Sequence, residues 1–242
     1  MTKNDFIVIP TFNEAKTLGS LIPRIAQTIP EARIMVVDDA SPDGTQDKVR
    51  ELMLSHPNLE LYPHNQKAGF AKAYIDAMSL LLARESDLRS VTMMDADMSH
   101  DPRYLPELQR LLETHDFVIG SRYVAGGGVS GWEWWRRLLS AGGNIYTRMV
   151  SGLPIHDITA GFNCIRAELL RNLDLGSMDV KGYAFQFLLK YRAYCAGASF
   201  SELPIVFKNR EEGESKMHGG IILEALKMPW RYPRVQKHPA VR

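Results

Sequence analysis

Short apolar runs alternate with helical patterns along the first half of the chain, and this alternation limits the folds available to it. The mainly apolar runs lie at residues 6–9, 34–37, 91–94 and 117–119, and a weaker strand pattern lies at 59–62. Helical patterns lie between them, at residues 14–25, 45–55, 69–83 and 102–114, and Asn13 is the predicted N-cap of the first. Strands that alternate with helices form parallel sheets covered by the crossover helices. The sequence therefore predicts an α/β fold with a mostly parallel sheet flanked by helices.

The second half of the chain is less regular. A glycine-rich segment, residues 125–131, is predicted to be a flexible loop, and a helix is predicted within residues 132–150. Another helix at 185–195 and a strand at 200–207 follow, and the basic tail of residues 227–242 contains no acid. Because no repeat or low-complexity linker divides the 242 residues, we expect one domain spanning residues 1–242.

Composition and cysteine usage exclude several classes of protein. The net charge of +1 gives no overall attraction to nucleic acid, so we expect no nucleic-acid partner. Cys164 and Cys195 form no CxxC pair, which argues against a zinc ribbon or a disulfide framework and fits a reducing compartment. We find no signal-peptide pattern and no apolar stretch of about 20 residues. The sequence thus predicts a cytoplasmic protein that can visit a membrane surface.

Acidic residues end three of the predicted strands. Glu14 follows the first strand, Asp38 and Asp39 follow the second, and Asp95 and Asp97 follow the fourth. The carboxyl ends of parallel strands face a common crevice where ligands bind. Residues two apart in an extended segment point the same way, so Asp95 and Asp97 are predicted to share one ligand. Carboxylates suit a hard divalent cation, Mg²⁺ or Mn²⁺, that leaves positions for phosphate.

Basic residues near this edge favour a phosphorylated ligand. Arg122 follows the strand at 117–119, and Arg210 and Lys216 lie in a polar loop after the last strand. A site for a diphosphate that is bound through a metal ion needs two kinds of residue. Carboxylates hold the cation, and guanidinium groups bind the oxygens of the diphosphate. A surface ion pair explains Arg122 equally well, and a solvated loop explains Arg210 and Lys216 when they are considered alone.

The glycine run and the tryptophan-rich segment each allow two interpretations. Gly126, Gly128 and Gly131 match G-x-G-x-x-G, but a dinucleotide-binding turn follows the first strand, so we reject that interpretation. Trp132 to Leu139 combines tryptophan with arginine, which is typical of a membrane interface, although a helix with core-packed tryptophans fits as well. The basic tail is either an electrostatic membrane contact or a disordered end.

Several motifs together resemble one family of enzymes. They cover nearly the whole chain in order: residues 9–14 (IPTFNE), 36–45 (VVDDASPDGT), 94–100 (MDADMSH), 120–124 (GSRYV), 157–162 (DITAGF), 182–186 (GYAFQ) and 210–216 (REEGESK). They resemble the dolichol- or polyprenol-phosphate mannose synthases within glycosyltransferase family 2, whose fold is of GT-A type. The early motifs are shared by many family 2 enzymes, whereas the later ones resemble the branch that uses lipid phosphates.

This resemblance implies a role for each matching residue. The donor-binding residues it implies are Pro10, Phe12, Glu14, Val37, Asp39, Asp95, Ala96, Asp97, Ser99, Arg122, Arg210 and Lys216. The metal ligands it implies are Asp95, Asp97 and Ser99, although Ser99 replaces a glutamine found in some members. It implies that Arg122, Arg136 and Arg137 bind the acceptor, with Arg136 receiving the lipid phosphate. The catalytic residues would be Asp97 and Arg122.

The resemblance also implies a reaction and its partners. It implies an inverting, metal-dependent transfer of mannose from GDP-mannose to a polyprenyl or dolichyl phosphate by a hexosyltransferase at the cytoplasmic face of a membrane. The chain lacks the membrane helices that some relatives append, so we expect a peripheral protein that docks on the membrane or on a separate membrane-anchoring subunit. Two alternatives stay open, namely transfer of glucose from UDP-glucose and a non-catalytic subunit that only binds nucleotide sugars.

Overall fold

The apolar runs of the first half become strands of one twisted sheet. A computed structural model describes residues 4–178, 183–209 and 227–235. The strands are β1 (Asn4–Thr11), β2 (Arg33–Asp38), β3 (Leu59–Pro63), β4 (Leu88–Met93), β5 (Phe117–Ser121), β6 (Gly128–Ser130), β7 (Asn163–Arg166), β8 (Phe200–Pro204) and β9 (Val206–Lys208). Seven of those described form the central sheet, in the order β3-β2-β1-β4-β7-β5-β8.

Both faces of this sheet are buried, which explains why its strands are continuous apolar runs rather than alternating ones. In β1, Phe6 and Val8 pack into one core cluster, and Ile7 and Ile9 pack into the cluster on the opposite face. β1 pairs in parallel with β2 and β4, and β2 pairs in parallel with β3. The mostly parallel α/β fold is therefore confirmed.

Helices cover the two faces at the positions that the periodicity predicts, with small shifts at their ends. They are α1 (Ala15–Thr28), α2 (Thr45–Met53), α3 (Phe70–Arg84), α4 (Leu105–Leu111), α5 (Trp134–Ser151), α6 (Ala167–Arg171) and α7 (Tyr183–Cys195). Short 3₁₀ turns lie at Pro102–Tyr104, Leu175–Ser177 and Met228–Arg231. Among the described residues, no helix is both long and apolar enough to cross a bilayer.

One strand of the central sheet has no counterpart in the sequence prediction. β7 runs antiparallel to both of its neighbours, β4 and β5. Asn163 at its start pairs with Met93 and Ile119, which lie near the carboxyl ends of those neighbours. The residues that precede β7 therefore reach the same edge of the sheet as the strand-end acids.

The glycine-rich segment is not the flexible loop that its composition suggests. Residues 128–130 form β6, which pairs in parallel with β9 in a small second sheet. Gly127 is required for close approach, because a Cβ there would lie 2.6 Å from the Ser121 carbonyl oxygen. Gly131 has φ = +79°, a left-handed conformation that glycine adopts without strain. The glycines thus permit tight packing, and the predicted strand at 200–207 divides into β8 and β9.

Candidate active site

The strand-end acids gather at one edge of the sheet, as expected from the parallel topology. The order of the strands reverses between β1 and β4, and ligands in open α/β sheets bind at such a switch point. Glu14 follows β1, Asp39 follows the neighbouring β2, and Asp95 follows β4 on the other side. A backbone hydrogen bond of 3.0 Å from the Asp39 amide to the Thr11 carbonyl ties the first two strand ends together.

The two neighbouring acids after β2 have different surroundings. Asp38 is fully buried, and its carboxylate accepts hydrogen bonds from the Thr11 hydroxyl, from Ser41 and from the Gln46 amide. Asp38 therefore fixes the loop that joins β2 to α2, with every near donor already used. Asp39 instead reaches the loop between β3 and α3, at the wall of the crevice.

The Asp39 carboxylate closes that loop. It accepts hydrogen bonds from the backbone amides of Ala68 (2.7 Å) and Gly69 (2.9 Å) and contacts His64 Nδ1 at 3.1 Å. Burial acts to raise the pKa of Asp39, but these three partners together lower it below its ordinary value. Asp39 is therefore an anion near neutral pH, and it holds the loop beside the crevice in one conformation.

The start of α1 is held from the neighbouring loop rather than by its own cap. Asn13, the predicted N-cap, has φ = +63° and lies outside the helix, and Glu14 occupies the cap position without a side-chain cap. The Glu14 amide donates to the Thr45 hydroxyl, and the Ala15 amide donates to Asp43. The predicted N-cap is wrong because the first amides of α1 bond to a loop that is distant in the sequence. Sequence spacing alone does not reveal such partners.

The residues that the family resemblance implies for nucleoside binding differ in how far their side chains are exposed. Val37 is fully buried and Ala96 is 3% exposed, so only their backbone is able to contact a ligand. Pro10, Phe12 and Glu14 are half-buried. The Lys67 ammonium lies 3.5 Å from the centre of the Phe12 ring, which adds a cation that the sequence interpretation missed.

The acidic pair after β4 lies in a turn rather than in the extended segment that we expected. β4 ends at Met93, the chain bends from Ala96, and Met98 has φ = +63°. The bend forms because Asp97 Oδ1 accepts hydrogen bonds from the Ser99 amide (3.1 Å) and the Ser99 hydroxyl (2.5 Å). Ser99 is fully buried, so in this structure it orients the Asp97 carboxylate.

Asp95 and Asp97 nevertheless occupy one neighbourhood. Tyr74 is fully buried below them, and its hydroxyl donates to the Met94 carbonyl at 3.3 Å. Burial raises the pKa of Tyr74 well above its ordinary value, and the carboxylates of Asp95 and Asp97 raise it further. Both carboxylates therefore act electrostatically on the same phenol.

His100 is a site residue that the sequence interpretation left without a role. Its Nδ1 accepts a hydrogen bond of 3.0 Å from the Asp95 amide, and its Nε2 lies 3.9 Å from Asp95 Oδ2. The ring is 2% exposed and stacks on Phe162 at 4.8 Å between centroids. His100 therefore contacts Asp95 at its backbone amide and lies near its carboxylate. The only signal of this role in the sequence was the position of His100, five residues after Asp95.

Arg122 lies at the same edge but is part of a buried ion pair. Its guanidinium donates to both oxygens of Asp157 (2.7 and 2.8 Å) and to the Thr159 hydroxyl (2.8 Å). Burial acts to raise the pKa of Asp157, but Arg122 outweighs burial and lowers it. The alternative of a surface ion pair is wrong, because the Asp157 side chain is 0% exposed and that of Arg122 is 9% exposed.

The segment before β7 connects Arg122 with the rest of the edge. The side-chain amide of Asn144 on α5 donates to the Thr159 hydroxyl at 3.0 Å and accepts from the Thr159 amide at 3.2 Å. A Cβ at Gly161 would lie 3.7 Å from Asp95 Oδ2, so the chain passes directly beside that carboxylate. The pair of Arg122 with Asp157 is thereby fixed relative to both α5 and Asp95.

A buried lysine lies behind this segment, and nothing in the sequence interpretation indicated it. Lys190 on α7 is fully buried, and its ammonium donates to the Ala160 carbonyl at 2.8 Å. Burial lowers the pKa of Lys190 to about 7, although Asp157 and Glu202 act in the opposite direction. In the sequence, Lys190 is a charged residue on a mostly apolar helix. Such a residue normally lies at an exposed position, so the sequence does not indicate its burial.

The two arginines at the start of α5 have no carboxylate within 4 Å in the described part of the chain. The Arg136 guanidinium lies 4.4 Å from the centre of the Trp132 ring, and Arg137 Nε donates to the Trp132 carbonyl at 3.1 Å. The other two proposed phosphate ligands, Arg210 and Lys216, lie outside the described residues.

Comparisons with known proteins identify the family. The family model described as Glycosyl transferase family 2 matches residues 6–174, which is more than half of the chain. The chain belongs to glycosyltransferase family 2. A protein of Micrococcus luteus named undecaprenyl-phosphate mannosyltransferase is 42% identical over 219 residues, covering 90% of this chain and 89% of that protein. A Mycolicibacterium smegmatis protein named polyprenol monophosphomannose synthase is 43% identical over 230 residues, covering 93% and 85%.

Solved structures show that this family 2 chain has the GT-A type of fold. Glucosyl-3-phosphoglycerate synthase of Mycobacterium tuberculosis, in complex with Mn²⁺, UDP and glucosyl-3-phosphoglycerate, superposes with a TM-score of 0.67 over 96% of this chain and 81% of that one. The mannosyltransferase PcManGT of Pyrobaculum calidifontis, in complex with GDP-Man and Mn²⁺, gives a TM-score of 0.58 over 88% and 58%. Their identities to this chain, 15% and 18%, support the fold alone.

The donor atoms at the strand ends fit a divalent cation that takes part of its ligands from a substrate. No group of three or more His, Cys, Asp or Glu side chains within the described ranges is arranged to hold a metal. Asp95 and Asp97 supply two carboxylates, and hard cations such as Mg²⁺ and Mn²⁺ complete their coordination with phosphate oxygens and water. These two residues therefore fit such an ion only where a phosphorylated ligand supplies further oxygen ligands.

Proposed function

We propose that this family 2 enzyme transfers mannose from GDP-mannose to a polyprenyl or dolichyl phosphate. The observation that carries the proposal is the 42–43% identity, over most of both chains, to two proteins named for mannosyl transfer to polyprenyl phosphates. The strand-end acids and the arginines at the start of α5 support it, because they supply separate sites for a metal-bound diphosphate and for an acceptor phosphate.

In this proposal the donor lies across the switch point between β1 and β4. Pro10, Phe12, Glu14 and the backbone of Val37 line the nucleoside end, beside the loop that Asp39 closes. Asp95 and Asp97 bind Mg²⁺ or Mn²⁺ at the diphosphate, with Ser99 acting through Asp97 and the backbone of Ala96 between them. Arg210 and Lys216 are proposed to contact phosphate as well. The Mn²⁺ in the solved complexes of related fold is consistent with this arrangement.

The acceptor phosphate is assigned to the arginines beside α5. Arg136 is the proposed primary ligand, because its guanidinium is held by a ring face and its N–H groups have no acceptor among the residues that the structure describes. Arg137 is the secondary candidate. Arg122 follows β5 at the donor edge, the edge of the sheet that carries Asp39, Asp95 and Asp97, and its pairing with Asp157 and Thr159 is proposed to fix the geometry between the two phosphates.

The chemistry is a single displacement with inversion. An oxygen of the acceptor phosphate attacks the anomeric carbon of mannose, the new C–O bond forms, and GDP leaves with the electron pair of the broken bond. A phosphate monoester has a second pKa of about 6, so the attacking oxygen needs no general base near neutral pH. A bound divalent cation supplies positive charge that stabilises the leaving diphosphate. The protein contributes mainly by positioning and by preorganised charge.

Helix α5 supports a peripheral position on a membrane, because its amphipathicity is inverted. It packs on the protein through polar and small side chains, Ser140, Asn144, Thr147 and Ser151, of which the last three are buried. Its large apolar side chains face solvent: Trp134 is 73% exposed, Leu138 64%, Ile145 60% and Met149 68%. At 100° per residue these four fall within roughly 60° of the helix circumference. An ordinary surface helix buries that face.

Charge and neighbouring residues extend this apolar face into a surface suited to lipid. Trp230 is 73% exposed and donates its indole N–H to the Tyr146 hydroxyl of α5 at 2.6 Å. Arg137 and Arg148 flank the apolar stripe, and α5 contains no acid. Tryptophan rings at headgroup depth with flanking arginines are typical of interfacial helices. We infer that this face contacts the cytoplasmic side of a membrane, either alone or beside a membrane-anchoring subunit.

A transfer assay tests the proposed function. The purified chain is incubated with Mn²⁺, undecaprenyl phosphate in detergent, and radiolabelled GDP-mannose, and the label that enters the organic phase is counted. We expect a mannosylated lipid. Labelled product from UDP-glucose and none from GDP-mannose would instead assign a glucosyltransferase. Binding of GDP-mannose without any lipid product under all metal conditions would assign a non-catalytic subunit.

A further inference from the structure

Trp132 occupies a position between two guanidinium groups. Its ring centre lies 4.4 Å from the Arg136 guanidinium and 5.8 Å from that of Arg122. Arg122 belongs to the edge that carries the strand-end acids, whereas Arg136 belongs to α5. The indole is therefore the side chain that contacts both the donor edge and the proposed acceptor ligand.

The small second sheet holds Trp132 in place from outside the helix. β6 ends at Ser130, whose carbonyl accepts a hydrogen bond of 3.0 Å from the Asn209 amide after β9. Gly131 then turns the chain, and a Cβ at this position would lie only 3.0 Å from Asn209 Cβ. The Trp132 ring contacts the edge of Phe207 at 5.6 Å between centroids. Its place therefore depends on the packing of β6 against β9, not on α5 alone.

Trp132 differs from its neighbours in the same segment. Trp134 and Trp135 are 73% and 54% exposed on the lipid-facing side, whereas Trp132 is half-buried. The indole Nε1 is buried and has no hydrogen-bond partner in the described ranges. A ring face attracts a guanidinium without using any of its N–H donors. Trp132 therefore fixes the direction of Arg136 without using any of its N–H groups, and within residues 4–178, 183–209 and 227–235 no acceptor uses them either.

We propose that Trp132 is a positioning residue that holds Arg136 for the phosphate monoester of the acceptor and sets its distance from the donor edge. This inference rests on the proposed function, because it assigns an acceptor phosphate to Arg136. It goes further in naming the group that decides where this phosphate lies. The shape of the acceptor site then depends on an aromatic side chain that makes no salt bridge.

Direct binding of a short prenyl phosphate tests the inference without requiring turnover. Calorimetric titration with farnesyl phosphate is carried out on the full chain and on Trp132→Leu, Trp132→Phe and Arg136→Gln. We expect Trp132→Leu to weaken binding about fivefold, since one cation–π contact is lost, and Trp132→Phe to recover most of it. Farnesol, which has the same chain without phosphate, should bind the wild type and these three variants equally.

The matched control is Trp134→Leu, a tryptophan change on the exposed face of the same segment. We expect it to weaken farnesol and farnesyl phosphate by the same factor, because it removes apolar contact only. Combining Trp132→Leu with Arg136→Gln should weaken farnesyl phosphate no more than Arg136→Gln alone. Full additivity in this double-mutant cycle, or an equal effect of Trp132→Leu on farnesol, would overturn the inference.

The same experiment separates the inference from the proposed function. If farnesyl phosphate binds as expected but the chain transfers no mannose, the proposed function fails and the role of Trp132 stands. If mannose is transferred but Trp132→Leu binds farnesyl phosphate like the wild type, the inference fails. Should Trp132→Leu fold poorly, Trp132→Met takes its place in the cycle with Arg136→Gln, because methionine keeps an apolar side chain against Phe207 while it removes the ring face from the Arg136 guanidinium.

Discussion

The proposed donor edge and the proposed lipid-facing side of helix α5 are built in opposite ways. At the donor edge, the side chains that follow β2 and β4 are buried and held by named donors, such as the Ala68 and Gly69 amides on Asp39 and Ser99 on Asp97. On α5, polar side chains are packed inward and the apolar ones are exposed. The side chains of the first region are held by hydrogen bonds within the protein, and only the proposed metal and diphosphate would be added to it. The second region leaves exposed the apolar surface that folding normally removes from water.

This difference teaches which part of the reaction each region serves. A small charged ligand is recognised by preorganised groups that do not move, since their orientation supplies the stabilisation. A long lipid offers apolar area, which exposed tryptophan and leucine can bury at the membrane surface. Changes at the donor edge should therefore affect chemistry, and changes on the lipid-facing side of α5 should affect membrane binding.

The largest expected effect comes from a change at the donor edge, which should lower catalysis and leave membrane binding unaltered. Asp97→Asn keeps the size of the side chain and a hydrogen-bond acceptor for Ser99, but it removes a charge that the proposed metal requires. We expect kcat to fall about a thousandfold, since the metal supplies several kcal/mol of stabilisation to the leaving group. Vesicle binding should stay at the wild-type level. Near-normal kcat in Asp97→Asn, measured with excess Mn²⁺, would remove the metal from the mechanism.

A smaller effect is expected on the lipid-facing side. The double change Trp134→Ser and Trp135→Ser removes two exposed rings whose burial in the interface favours binding. We expect binding to vesicles of phosphatidylglycerol and phosphatidylcholine, measured by sedimentation, to weaken about tenfold. Affinity for GDP-mannose should not change. If the double variant sediments with vesicles as the wild type does, α5 is not the membrane contact.

A third expected effect, on stability rather than on activity, concerns the layer behind the donor edge, where Lys190 is buried with a pKa of about 7. An unfolded lysine has a pKa of about 10.4, so between these values the unfolded chain binds more protons and the folded state gains stability as pH rises. Relative to Lys190→Met, the free energy of unfolding of the wild type should increase by about 2 kcal/mol from pH 7 to pH 9. Denaturant titrations at several pH values measure this difference. A difference that is constant with pH would mean that Lys190 titrates normally.

Much of the donor edge was accessible from the sequence, because its signals are local. The runs at 6–9 and 34–37 are apolar throughout and the run at 91–94 contains a single threonine, as buried parallel strands allow, and Asp38 and Asp95 directly follow the last two runs. Topology then brings those acids together. The conformation of Asp95 to Asp97 was predicted wrongly, since Ser99 bends the chain through a hydrogen bond that an extended segment does not make.

The remaining features depend on contacts between residues far apart in the sequence. Arg122 pairs with Asp157 across 35 positions, and β7 is a strand of four residues that is recognisable only between β4 and β5. The glycine run was read as flexible because composition does not report that Gly127 lies against the Ser121 carbonyl. The burial of Lys190 on a mostly apolar helix likewise depends on tertiary packing, which the sequence does not show.

The central claim is that carboxylates from neighbouring strand ends hold a divalent ion that binds the diphosphate of the donor. Calorimetric titration of GDP-mannose into the wild type, with and without Mn²⁺, tests it most directly. We predict binding that requires Mn²⁺, is lost when Asp95→Asn and Asp97→Asn are combined, and is unchanged by Trp134→Ser with Trp135→Ser. Equally tight binding without the metal, or in the double asparagine variant, would contradict the claim.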